Sequence, residues 1–417
     1  MDFLACLDWQ KAQDVVAQAL TTVAETEKVE LLAAQGRITA ADIRAQEDVP
    51  PFSRSTVDGY AVRSADTFGA SEAAAALLEL VGEIHMGQEA ALTLASGQAA
   101  AIPTGGMLPA GADAVVMLEY AEQPDERTLL VQKKAAPHEN VLTKGEDAAC
   151  GEVIVENGVR LGARHIGLLA ACGCQEVLVR KRLKVGLISS GDELVDLAVK
   201  PAAGQVRDVN SYALSALLSE MGCEVARFGI VKDSYERFCE CLAQAIATCQ
   251  LVVISGGSSV GAKDFTVPAL QAIAKPGLLF HGLAIKPGKP TIFAMDQEVP
   301  IFGLPGHPVA AFMVCSQLVA QAVRRLAGER QLAAASGVPA VLSRNLPSAP
   351  GRDDFVSVRL VEQDGSYVAE PILGKSGLIG VLAQADGILH IPAEKSGLYQ
   401  GEKVMIQTAT TGKERCE

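Results

Sequence analysis

Val185-Gly186-Leu187-Ile188-Ser189-Ser190-Gly191-Asp192-Glu193-Leu194 decides the fold. An apolar strand runs straight into a polar, glycine-bearing loop. The same pattern returns twice, in Leu251-Val252-Val253-Ile254-Ser255-Gly256-Gly257-Ser258-Ser259-Val260-Gly261 and in Ile301-Phe302-Gly303-Leu304-Pro305-Gly306-His307-Pro308. Helical periodicity lies between these strands. Residues 210–221 place Leu214, Leu217, Leu218 and Met221 on one face before Gly222, and residues 234–249 do the same with Phe238, Leu242, Ile246 and Cys249. Val225–Val231 reads as a further strand, and a last helix starts near Pro308. Strand alternating with helix predicts an α/β domain with a mostly parallel sheet.

Working outward, both flanks are β-rich. From about 75 to 155, short apolar runs alternate with Gly, Pro and Asp turns, which predicts an antiparallel, barrel-like β domain. From about 338, Val356–Leu360, Tyr367–Pro371, Ile388–Ile391 and Lys403–Ile406 read as strands. Residues 9–26 have helical spacing, and 27–45 predict a short strand and a helix. Val49-Pro50-Pro51-Phe52 forces extended chain and marks a boundary. The expected fold class is thus α/β plus β, in a chain of 417 residues that allows about two to four domains.

Acidic residues number 49 against 36 basic, a net charge of −13. That excludes broad nucleic-acid binding, which needs clustered cations. Aromatic residues make up 4%, too few for a base-stacking platform. The N-terminus has no basic run or small-residue cleavage site. The longest apolar helix candidate, 309–323, falls short of the ~20 residues that span a bilayer. A cytoplasmic protein without membrane or nucleic-acid partners is expected. The ten cysteines lack zinc-site spacing and read as small hydrophobes.

In open α/β sheets, ligands bind beyond the carboxyl ends of the strands. The three loops are therefore expected to meet at one pocket. Ser190, Gly191, Ser255, Gly256, Gly257, Ser259, Gly261, Pro305 and Pro308 are its candidate ligand-binding residues. Glycines let backbone N–H groups approach an anion closely. None of the loops is a Walker A loop. Glu193, Asp233 and Asp264 lie in or beside the loops and suit Mg²⁺, which takes one or two carboxylates plus phosphate oxygens. Each also reads as a helix cap. Lys286-Pro287-Gly288-Lys289-Pro290 holds two ammonium groups on a stiffened turn, which suits an oxyanion clamp better than a solvated hairpin tip.

Upstream, Ser55-Thr56-Val57-Asp58-Gly59-Tyr60-Ala61-Val62, Pro103-Thr104-Gly105-Gly106 and Lys144-Gly145-Glu146-Asp147 are polar turns. Taken with Arg207-Asp208-Val209-Asn210 and the loops above, in this order from about residue 7 to 407, they resemble the molybdopterin molybdenumtransferase (MoeA) family, related to the gephyrin E domain. His307, Ala310 and Val57 depart from the Asn, Ser and Met usual there; His307 reads as a variant turn residue.

The resemblance implies insertion of molybdate into adenylylated molybdopterin with release of AMP, dependent on Mg²⁺. It implies a homodimer with its site between subunits. It also implies exchange with a molybdopterin adenylyltransferase and with apo-molybdoenzymes. The implied domains are an elongated split domain (1–45 and 145–180), an inserted β domain (46–144), an α/β substrate-binding domain (181–330) and a C-terminal β-barrel (331–417). The implied catalytic residues are Asp58, Thr104, Asp147, Glu193, Asp233, Asp264, Lys286 and Lys289, with Arg352 and Ser376 gripping the nucleotide or pterin rim. The alternatives are adenylylation of molybdopterin, which the extra domains disfavour, and a non-catalytic scaffold.

Overall fold

The computed structural model describes residues 6–232, 234–256, 265–330 and 337–408. Its centre is a six-stranded sheet. The strands are β1 (Lys184–Ser190), β2 (Glu224–Val231), β3 (Leu251–Ser255), β4 (Pro276–His281), β5 (Ile292–Asp296) and β6 (Val299–Leu304), in the spatial order β2-β1-β3-β6-β5-β4. The first four are parallel. β5 runs antiparallel to both neighbours, so β4 again points the same way as β6. The carboxyl ends of β1, β2, β3, β4 and β6 therefore share one edge.

Helices cover both faces. On one face α1 (Asn210–Glu220) and the long helix α4 (Pro308–Leu326) pack with the N-terminal helix Trp9–Ala19 on Leu187, Val253 and Phe302. On the other, α2 (Tyr235–Thr248) and α3 (Thr266–Ile273) pack on Ile188, Val252 and Ile254. Alternate residues of β1 and β3 thus enter opposite cores, as the period of two in a strand requires. β1 and β3 are buried on both faces, which is why they read as near-continuous apolar runs.

α4 is longer than the sequence suggests, because a π-helical turn at Cys315–Val319 carries it through to Leu326. At 19 residues it is apolar enough by composition to cross a membrane, but most of it is buried in the protein core. Each fully buried Leu or Val there contributes roughly 1.5–3 kcal/mol.

The nine described cysteines are free thiols. Burial pushes the Cys223 thiol up to about 12 and raises Cys315 as well, so neither ionises at neutral pH.

The C-terminal strands close on themselves. Gly337–Leu342, Asp353–Gln363, Ser366–Pro371, Gly387–Ile391 and Lys403–Thr408 form a ring, shut by pairing of Asp353–Gln363 with Gly387–Ile391. Ile285–Lys286 pairs alongside that barrel, parallel to the start of Asp353–Gln363. The inserted β region differs from expectation. Its six strands form a mixed sheet in which Ala76–Glu83 runs parallel to Gln98–Ile102, and no pairing between its end strands closes it among the described residues. The helix expected within 27–45 is a single 3-10 turn, Leu32–Ala34, between strands Thr26–Glu30 and Ile43–Arg44. Thr26–Glu30 pairs with Glu176–Arg180, and Ile43–Arg44 with Val153–Val155, so the two halves of this region share one core.

Candidate active site

The loops after β1, β3 and β6 meet. The Gly256 N–H donates to the Leu304 carbonyl at 3.2 Å. Gly256 has φ +93°, and a Cβ there would overlap the Ser190 carbonyl oxygen, so only glycine lets the second loop lie against the first. Ser190, Gly191, Ser255, Gly256, Pro305 and Pro308 are thus brought to one edge. Gly257, Ser259, Gly261 and Asp264 continue the second loop outside the described residues, and Asp233 also lies outside them. Pro308 opens α4 at its first turn, where a missing N–H costs nothing, and His307 holds the N-cap position without a side-chain cap.

Glu193 is exposed, and its carboxylate folds back over Gly191. It forms no ion pair among the described residues. Among the described residues, no cluster of three or more His, Cys, Asp or Glu suits a metal ion. Of the three candidate Mg²⁺ ligands only Glu193 is described. One carboxylate beside a glycine-bearing loop edge fits an ion that draws its remaining ligands from phosphate and water.

The Lys286–Lys289 turn lies in the connection from β4 to β5, and therefore on the same edge. Gly288 has φ +124°, and a Cβ there would come within 2.6 Å of Val314 and 2.7 Å of Ile285, so the turn is pressed onto α4. The Thr291 hydroxyl ties it by donating to the Gly288 carbonyl at 2.6 Å. Both lysines are exposed, and neither makes an ion pair among the described residues.

The barrel adds two residues to this edge. Lys286 pairs in register with Asp354, whose carboxylate accepts from Arg352 Nε at 2.9 Å. The Ser376 hydroxyl lies 2.8 Å from His307 Nδ1, and its carbonyl accepts from the Val309 N–H at 3.0 Å. His307 is therefore more than a variant turn residue; it joins the barrel to the third loop.

Asp58 and Thr104 meet directly, and the Asp147 turn is tied to the same segment of chain through its backbone. Asp58 Oδ1 accepts from the Thr104 N–H at 2.8 Å, and its other oxygen has no partner among the described residues. Ser55 exchanges backbone hydrogen bonds with Gly105 and Gly106, at 2.8 and 3.0 Å. The Asp147 N–H donates to the Val49 carbonyl at 2.9 Å, and Lys144 Nζ lies 3.3 Å from Asp48. All three turns are thus sewn to one segment, 48–58. The backbone N–H of Cys150, and then Lys144, hold the Asp48 carboxyl below its ordinary value.

Two residues that sequence reasoning gave no role stand at the loop edge. Asn210 donates through Nδ2 to Ser255 Oγ at 2.8 Å and to the Gly306 carbonyl at 2.9 Å. Lys232 Nζ donates to the Asp192 and Leu194 carbonyls, both at 2.9 Å, and so straddles Glu193. Asn210 ends the Arg207–Asn210 motif, which could have flagged it. Lys232 carries no signal beyond its place at the end of a strand.

This fold defines a multidomain protein whose α/β sheet gathers three glycine-bearing loops and two lysines at one edge. Comparison with known proteins is more particular. The family model for the MoeA N-terminal region (domains I and II) matches residues 7–173. That for a probable molybdopterin binding domain matches 186–325, and that for the MoeA C-terminal region (domain IV) matches 339–408. The molybdopterin molybdenumtransferase of Haemophilus influenzae is 32% identical over 403 residues, which is 96% of this chain and 98% of that one. The enzyme of that name from a Nostoc species is 34% identical, over 92% of this chain and 88% of its own. The crystal structure of the molybdopterin biosynthesis moeA protein of Pyrococcus horikoshii OT3 matches with a TM-score of 0.84 and 31% identity, over 97% of this chain and 100% of that one. The chain belongs to the molybdopterin molybdenumtransferase (MoeA) family.

Proposed function

We propose that this protein acts in molybdenum cofactor biosynthesis, inserting molybdate into adenylylated molybdopterin with release of AMP. The observation that carries this reading is the convergence of three glycine-bearing loops and the unpaired Lys286 and Lys289 on one sheet edge. Substrate and molybdate are both anions, and their repulsion must be offset. The loop amides and the two ammonium groups supply fixed positive charge where phosphate and oxyanion meet. Mg²⁺, when bound, would add Lewis-acid neutralisation of phosphate charge. Glu193 would hold it, together with Asp264 and Asp233. Arg352 and Ser376 would grip the rim of the nucleotide or pterin.

In this reading Asp58 positions or deprotonates the group that attacks the AMP phosphoryl. The Thr104 N–H fixes one of its oxygens and leaves the other to accept a proton. Asp147 flanks it. The loop edge and these upstream turns stand on different cores, which supports assembly of the complete site from two subunits of a homodimer. Division of the chain into the four domains expected from the sequence belongs to the same proposal; separate cores support it from residue 26 onward, whereas helix Trp9–Ala19 shares the core of the α/β domain. So do a cytoplasmic location, supply by an adenylyltransferase and delivery to apo-molybdoenzymes.

The test is reconstitution of the purified protein with adenylylated molybdopterin, Mg²⁺ and either molybdate or tungstate, following AMP. Oxyanion-dependent AMP release is expected. Consumption of ATP with molybdopterin instead would favour an adenylyltransferase. Light scattering should give a dimer, and mixing Asp58→Ala with Lys289→Ala protein should restore part of the activity that each lacks. A fully active monomer would refute the shared site.

A further inference from the structure

Asn210 is the first residue of α1, one place after the N-cap position, where Val209 offers no side-chain cap. Asp208 caps the helix from further upstream. Its Oδ1 accepts from the Ser211 N–H at 3.1 Å, while its own N–H is held by the Val195 carbonyl. The Asn210 carboxamide takes no part in that cap, and the residue is 8% exposed. Both of its N–H groups are spent on neighbouring loops, one on Ser255 Oγ and one on the Gly306 carbonyl. A carbonyl only accepts, so the nitrogen must face Gly306, and the orientation of the amide is settled chemically.

These partners lie far apart in sequence, 45 and 96 positions away. They belong to the second and third loops of the edge, each at the end of a different strand. We propose that Asn210 is a positioning residue of this edge: one buried carboxamide sets the spacing between the loop after β3 and the loop after β6, and with it the set of backbone groups offered to the substrate's phosphate. The inference rests on the proposed function for the identity of the ligand. The spacing itself does not depend on it.

Asn210→Asp tests this with almost no change of volume. It replaces two donors by a carboxylate oxygen. Ser255 can turn its hydroxyl to donate, but the Gly306 carbonyl then faces a second acceptor. Leaving such a buried group unmatched corresponds to a loss of roughly 10- to 100-fold in an equilibrium constant. Two readouts are compared with wild type: hydrogen–deuterium exchange in the peptides covering 251–256 and 303–307, and affinity for molybdopterin.

Faster exchange in both peptides is expected, with barrel peptides unchanged. Molybdopterin affinity should weaken by roughly 10- to 100-fold, and kcat for AMP release at saturating substrate should change by less than about threefold. Ser255→Ala deletes one contact and keeps the other, so it should fall between wild type and Asn210→Asp on both readouts; it also serves if Asn210→Asp does not fold. Unchanged exchange in both loops would overturn the proposal. So would faster exchange with unchanged affinity, which would make Asn210 a purely structural residue. Failure of wild type itself to bind molybdopterin would instead refute the proposed function. That outcome is read on wild type alone, and pyrophosphate would then serve as the probe of the edge.

Discussion

Gly256→Ala should damage the site far more than Gly306→Ala, although the two glycines lie on adjacent loops. At Gly256 a methyl group would overlap the Ser190 carbonyl oxygen and stand 3.3 Å from its carbon. The obstruction is backbone, so no side chain can swing away. The first and second loops would have to part by about 1 Å, a displacement large enough to cost on the order of 100-fold where reacting groups must be aligned. A φ of +93° adds strain for any residue with a Cβ, about 1–3 kcal/mol. At Gly306 the nearest atom to a new methyl is the Gly256 Cα at 3.8 Å, an ordinary contact. Thermal unfolding and AMP-release kinetics of both variants make the comparison. The expected result is a lowered melting temperature and a raised KM for Gly256→Ala, with Gly306→Ala close to wild type. Equal behaviour of the two variants would refute the argument that the first two loops meet in backbone contact.

Asp58→Ala should abolish AMP release while melting like wild type, because this exposed side chain's hydrogen bond is to one backbone N–H; an equally large loss of stability would make it structural. Lys289→Ala should weaken substrate or molybdate use by roughly 10- to 100-fold without loss of stability. Lys289→Arg should not restore it, since a planar fork does not replace a compact ammonium, and steady-state kinetics over a range of molybdate concentrations decides both. The Asp48 carboxyl is held below its ordinary 3.8, so its contribution to the Lys144 turn is complete above that pH and is lost as pH falls below it. Asp48→Asn should therefore remove part of the acid sensitivity of exchange at residues 143–150, and an unchanged pH profile would show that the pairing is inconsequential.

Local pattern made the central sheet readable. Runs such as Leu251–Ile254 are buried on both faces, so their apolar character is uninterrupted, and the amphipathic helices between them repeat at the helical period. Pairing partners were harder to read. Ala76–Glu83 joins Gln98–Ile102 in parallel because the connection 84–97 is long enough to cross back, and no local residue type announces that. The helix expected within 27–45 fails for a related reason. Leu31-Leu32-Ala33-Ala34 has helical propensity, but Gly36 takes φ +73°. The following N–H groups of Thr39 and Ala40 are claimed by the Val159 and Leu178 carbonyls. Hydrogen bonds to distant chain outweigh a propensity worth only tenths of a kcal/mol per residue.

The candidate site divides along the same line. The meeting of Ser190 and Gly256 at one edge was legible because both end strands of one sheet, and strand ends are visible in hydropathy. Lys286 and Lys289 were legible because two cations on a stiffened turn have no helical partner to satisfy. Asn210, Lys232 and His307 act on other parts of the protein, and nothing nearby in the chain records the partner. His307 meets Ser376 across 69 positions, and Asn210 meets Gly306 across 96. A residue that touches substrate leaves a trace in its own loop, because the loop must be shaped for the substrate. A residue that spaces two loops leaves its trace only in the distance between them, and that distance exists only after folding.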